Sequence, residues 1–167
     1  MRCQSQAEGF FNAYELLTKN NQAYMEQEAS EKNSTSIRQT FKTDIVCLAF
    51  ALELFLKDLY FVVNGVPLSG HKIHKLFDQL TEEIQEEIFQ HHPENYFITA
   101  CFMYPGKSPL DKFKSKIRHY GDGFVKWRYS HEHLALFYET SFVVGLIQSI
   151  TKVTSRICTE KRKNSNL

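Results

Sequence analysis

Residues Phe41 to Gly65 read FKTDIVCLAFALELFLKDLYFVVNG, and the spacing of their apolar side chains decides the fold. Phe41, Ile45, Leu48, Leu52, Phe55, Leu59 and Val62 alternate steps of four and three, the period of a helical stripe. Val46, Phe50, Leu54, Leu56 and Phe61 widen that stripe, so a helix from Ile37 to Asn64 is either central or covered by a second subunit. Glu53, Lys57 and Asp58 interrupt the apolar run, and three charges there favour a buried helix over a membrane span. Glu53 and Lys57 stand four apart in the order that favours an ion pair. Asn64-Gly65 ends the helix with residues suited to a left-handed cap.

The same period appears on both sides of this helix. Phe10, Phe11, Tyr14, Leu17 and Tyr24 predict a helix over Gln4–Lys32, and NSTS (Asn33 to Ser36) reads as a turn with an N-cap. Leu76, Leu80, Ile84 and Ile88 predict one helix over Ile73–His91, with Asp78, Glu82, Glu83, Glu86 and Glu87 opposite. Tyr96 to Met103 fits a short helix or an extended connection. Leu110 to Tyr120 reads as a short basic helix closed by Gly121-Asp122-Gly123. A last helix is expected from Ser130 to Cys158, with a frayed basic and polar tail from about residue 159. The whole chain therefore predicts one all-α domain, an up-and-down helical bundle of five or six helices.

Composition agrees. The 167 residues suit a single core, and only 7 Gly and 4 Pro leave few turns for a many-stranded sheet. Twenty basic against nineteen acidic residues exclude an overall polybasic character. Four scattered cysteines without a CxxC pair fit reduced thiols and no disulfide framework. MRCQSQAEGFF lacks the apolar core of a signal peptide, so the expected location is the cytoplasm.

Charge is nevertheless segregated. Lys107, Lys112, Lys114, Lys116, Arg118 and Lys126 form a basic band interleaved with Tyr104, Phe113, Tyr120, Phe124 and Trp127. Phosphate neutralisation and base stacking would use such side chains; a solvated basic face is the competing reading. The band runs into WRYSHEH, Trp127 to His133. Neither His71/His74 nor His91/His92 is joined by further ligands at zinc-like spacing, so no metal or cofactor is expected. Arg128 and His133 offer a different kit: a permanently charged fork for a phosphate and an imidazole that exchanges protons near neutral pH. Such a pair supports metal-independent RNA cleavage through attack of the ribose 2′-OH.

Three segments in this order resemble the HEPN family, the all-α domains of prokaryotic toxins, phage-defence proteins and CRISPR-associated ribonucleases. ALELFLKDLYFVVNG (Ala51 to Gly65) is similar to its Glu-x3-Lys helix with a following glycine. GHKIHKLFDQL (Gly70 to Leu80) is similar to its His-x-Leu segment. FVKWRYSHEHLALFYE (Phe124 to Glu139) is similar to its Trp-Arg-Tyr entry into the last helix. The resemblance implies a ribonuclease motif in which Arg128 is followed by four residues and then His133, completed across a homodimer. Tyr129, His131, Glu132 and Glu53 would be auxiliary, and the basic band would guide RNA. It also implies partners such as an antitoxin, a nucleotidyltransferase or another defence-system protein. Ala135 stands where partner-modified toxins carry tyrosine, and Glu132 fits relatives that lack the histidine. The alternative is thus a non-catalytic HEPN module binding nucleotide, RNA or a partner protein, in which the arginine pairs with an acid such as Glu53.

Overall fold

The computed structural model describes residues 2–28, 43–100, 106–121 and 140–165. All regular structure among them is helical: α1 (Arg2–Glu28), α2 (Thr43–Asn64), α3 (Ile73–Asp78), α4 (Glu82–His91), α5 (Asn95–Ala100), α6 (Pro109–Gly121) and α7 (Thr140–Ser165). None of the described helices is long and apolar enough to cross a membrane. The expected NSTS turn lies outside the described residues.

Helix α2 is the axis of the bundle. It packs against α1, α7 and α3, and Ile45, Leu48, Ala49, Ala51, Leu52, Phe55, Leu56 and Leu59 are all buried. Full burial of each large aliphatic or aromatic side chain stabilises the fold by about 1.5–3 kcal/mol. Phe10 of α1 stacks on Phe50 of α2 with ring centroids 5.3 Å apart, which covers part of the widened stripe. The chain itself covers part of that apolar width, while Phe61 near the end of α2 stays 45% exposed. The predicted stop also forms. Gly65 adopts φ +74°, and its N–H donates to the Phe61 carbonyl at 2.8 Å.

Where the sequence predicts one helix over Ile73–His91, the structure breaks it into α3 and α4. Gln79 and Leu80 donate to the Leu76 and Phe77 carbonyls at 3.3 and 3.1 Å, a tightened final turn. Thr81 is extended, with ψ 157°, and Leu80 turns inward to 5% exposure. The buried Gln85 amide holds the break by donating to the Phe77 and Leu80 carbonyls at 3.0 and 2.8 Å. Helices α5 and α6 follow; the ambiguous stretch after Tyr96 is helical as far as Ala100.

The final helix differs at its far end. It continues past Cys158 to Ser165, where the sequence predicts a frayed tail. Lys161 donates to the Val62 and Val63 carbonyls at 2.5 and 3.3 Å, caps the C-terminus of α2, and ties the tail to the bundle. Arg156 adds bonds of 2.6 Å to both Glu87 oxygens and one of 2.7 Å to Glu160.

The start of α7 is locked to α4 by His92, which is 2% exposed. Its ring lies against Phe113 and Phe142; Nε2 is 3.0 Å from the Phe142 carbonyl, and Nδ1 accepts from the Glu94 N–H at 3.1 Å. These bonds require the neutral ring with its hydrogen on Nε2. Gly145 permits the approach, since a Cβ there would meet His92 Nε2 and Pro93 Cδ at 3.0 Å. Gly145→Ala should therefore cost stability, the clash of about 1–3 kcal/mol exceeding the helix-propensity gain of about 1 kcal/mol. Placed in a His92→Ala background, the same change should cost less, because only the Pro93 contact remains, as a double-mutant cycle by urea unfolding would read.

Candidate functional site

Glu53 sits on α2 with 4% exposure, at a position where the helix is otherwise apolar. Its Oε1 accepts from Lys57 Nζ at 2.7 Å and lies 2.9 Å from His71 Nδ1. Oε2 is buried and has no hydrogen-bond partner among the described residues. The i,i+4 pair read from the sequence is present, and His71, eighteen positions along the chain, is the partner that the sequence does not reveal. This node joins the first two family-like segments, one on α2 and one leading into α3. A carboxylate oxygen accepts, so the hydrogen of this contact sits on Nδ1 of His71. The His71 side chain is 74% exposed and that of Glu53 is 5% exposed. A buried carboxylate thus orients an imidazole that faces solvent.

The third segment leaves the described structure after α6 and returns at α7. Arg128, Tyr129, His131, Glu132, His133 and Lys126 all lie outside the described residues. The residues on either side do define its place of attachment. Tyr120 on α6 and Phe142 on α7 meet with ring centroids 5.3 Å apart. They line one internal space with Leu52 of α2 and Ile73 of α3. Leu52 adjoins Glu53, and Ile73 lies two residues beyond His71.

Helix α6 divides the basic band. Leu110, Phe113 and Ile117 are buried, and the four-residue spacing places Lys112 with Lys116 on one flank and Lys114 with Arg118 on the other. Lys116 donates to Glu94 at 2.7 Å and rests 4.7 Å from the Phe142 ring centroid. Arg118 reaches Asp78 at 3.4 Å, and Lys107 donates to Ser115 Oγ at 2.9 Å. The pairs are exposed or half-exposed, so each contributes little, and the positive field is two flanks in place of a single ridge. Lys114 makes no ion pair among the described residues. Ser108 starts the helix, accepting from the Asp111 N–H at 3.1 Å and donating to its carboxylate at 2.7 Å.

Two other features have less to offer an RNA. A cleft of about 570 Å³ opens between α4, α5 and the start of α6, but Glu82, Glu86 and Asp111 line it and would repel phosphate. Asp58 is 5% exposed on α2; burial pushes its carboxyl up, and the charge of Glu8 adds to that rise. Among the described residues no group of three or more His, Cys, Asp and Glu could hold a metal ion.

No family model matches the chain, and comparison with curated proteins and with solved structures likewise gives no match.

The node makes its own prediction about stability. Lys57 is 20% exposed and His71 far more, so both can reach water once the carboxylate is gone. Glu53→Met should therefore be neutral or stabilising by up to about 2 kcal/mol in urea unfolding, because it removes a buried charge without stranding another. A loss above about 3 kcal/mol would mark the carboxylate as an element of the fold.

Proposed function

We propose that the chain is a HEPN-like, metal-independent endoribonuclease of a toxin–antitoxin or antiphage defence system, acting as a cytoplasmic homodimer. The observation that supports this reading is the Glu53 node. It draws the first two family-like segments together. Arg128 holds the scissile phosphate, since a guanidinium stays charged at any working pH and fits a phosphate with two parallel bonds. His133 exchanges the proton, with Tyr129 and His131 in support. Lys107, Lys112, Lys114, Lys116, Arg118 and Lys126 guide the RNA by neutralising phosphates.

One observation favours a second reading. Glu53 Oε2 is buried and without a partner among the described residues, which leaves a place for a cation. An arginine from the third segment would satisfy it. The domain would then be a non-catalytic HEPN module that binds nucleotide, RNA or a partner protein.

The experiment is cleavage of RNA by the purified chain, freed of any antitoxin or supplied with its activator. Arg128→Ala and His133→Ala should each abolish cleavage without changing helicity. The products should carry 2′,3′-cyclic phosphate, and EDTA should leave the rate unchanged, because arginine and histidine supply both charge and proton transfer. Full activity in His133→Ala would remove the ribonuclease reading, and a wild type that binds RNA but cuts none would establish the binding module. Light scattering at micromolar concentration should give a dimer; a stable monomer would count against a site shared between subunits.

A further inference from the structure

The cleft of about 570 Å³ between α4, α5 and α6 is large enough to take several side chains of a ligand. Its floor is the edge of the core, since Phe89 and Leu110 line it and are only 3% and 8% exposed. Its rim is aromatic and open. Tyr96 lines it with 75% exposure, and the next residue, Phe97, is 71% exposed. The two rings meet edge to face with centroids 6.0 Å apart, and both stand largely in water. An exposed aromatic pair beside an apolar floor is a surface suited to contact with another protein.

The charge of the cleft is one-sided. Glu82, Glu86 and Asp111 line it, and no basic residue does among those described. Other acids of the bundle have cations: Glu53 has Lys57, Asp78 has Arg118, Glu87 has Arg156 and Glu94 has Lys116. The three in the cleft have no ion pair among the described residues. Glu86 accepts from the neutral Gln90 at 2.7 Å, and Asp111 from Ser108 at 2.7 Å. Glu82 stands in the first turn of α4, where the helix dipole favours an acid. Glu86 lies one turn further along the same face, where that benefit has faded and the two like charges repel.

We infer that this cleft is a docking site for an arginine-bearing peptide segment of a partner protein. A guanidinium answers both features with one group: its plane stacks on an exposed tyrosine ring, and its fork gives parallel N–H bonds to a carboxylate. Lysine offers a point charge without a plane. The aliphatic stem of arginine and a neighbouring apolar side chain cover Phe89 and Leu110. Nucleic acid is a poor occupant, because its phosphates would meet three carboxylates. Neither RNA cleavage nor a homodimer is needed for this binding.

The test is titration of the isotopically labelled full chain with the acetylated, amidated peptide GRLRG, followed by amide shifts in NMR. Saturable shifts are expected at Glu82, Glu86, Gln90 and Tyr96. Glu82→Gln combined with Glu86→Gln should weaken binding by about 5-fold or more, since two partly exposed pairs are lost together. Tyr96→Ala should weaken it by about 3-fold, the scale of an exposed cation–π contact. Glu8→Gln combined with Glu15→Gln removes the same charge from exposed positions of α1 and should leave binding unchanged. The peptide GKLKG should bind more weakly than GRLRG, and GELEG should not bind. Circular dichroism should be the same in every variant. Equal weakening by the α1 pair, equal binding of the lysine peptide, or no saturable shift up to about 1 mM peptide would overturn the inference. Light scattering distinguishes one other occupant: self-association that disappears in Glu82→Gln with Glu86→Gln would place a second copy in the cleft, and would also overturn it.

Discussion

Everything in this structure is arranged around the need to cover α2. A helix with one apolar face lies on a core, whereas one that is apolar on several faces must be enclosed. Helices α1, α7 and α3 do the enclosing, and the consequences spread outward. Because α7 must lie along α2, Lys161 falls next to the last carbonyls of α2 and the tail stays helical. Because α4 and α6 must meet the same α7, His92, Phe113 and Phe142 pack as one aromatic group, and Gly145 must lack a side chain. Charge placed within such a helix is costly, so the burial of Glu53 in α2 asks for a reason that packing does not supply.

The sequence announces α2 because hydrophobic period is a local property and the run is long. Its end at Asn64-Gly65 is equally local, and the structure places both as expected. The break between α3 and α4 is not legible, since Leu76, Leu80, Ile84 and Ile88 keep a helical step straight through it. What breaks the helix is an advantage gained elsewhere: Leu80 enters the core while the Gln85 amide satisfies the carbonyls set free. The tail misleads for the opposite reason. Its charges look solvated in sequence, yet Arg156 and Lys161 find partners on α4 and α2.

The candidate site was half legible for the same reason. Glu53 and Lys57 are one helical turn apart, so spacing shows the pair. His71 reaches Glu53 only through the loop that follows Gly65, and no periodicity relates them. The basic band shows the limit of composition. Its basic residues alternate along the sequence, and a two-residue step on a helix sends them to opposite flanks of α6, with Lys116 on Glu94 at one side and Arg118 on Asp78 at the other.

The buried polar side chains differ in what they bond: Asn21 donates to the Asp44 carboxylate at 3.3 Å, and four others bond the backbone. Ser149, Thr154 and Gln85 give their hydrogens to backbone carbonyls, and His92 bonds a backbone carbonyl and a backbone N–H. Such bonds fix the course of helices, and their value lies in the fold. Glu53 bonds no backbone group; both its donors are side chains, and one of them stands mostly in solvent. A carboxylate kept for stability would be surrounded by buried donors that satisfy both oxygens. Here one oxygen has no partner among the described residues, while the other contacts an exposed imidazole. That arrangement gives little to the folded state and a great deal to the imidazole. The same helix that organises the core thus also aims a histidine out of it.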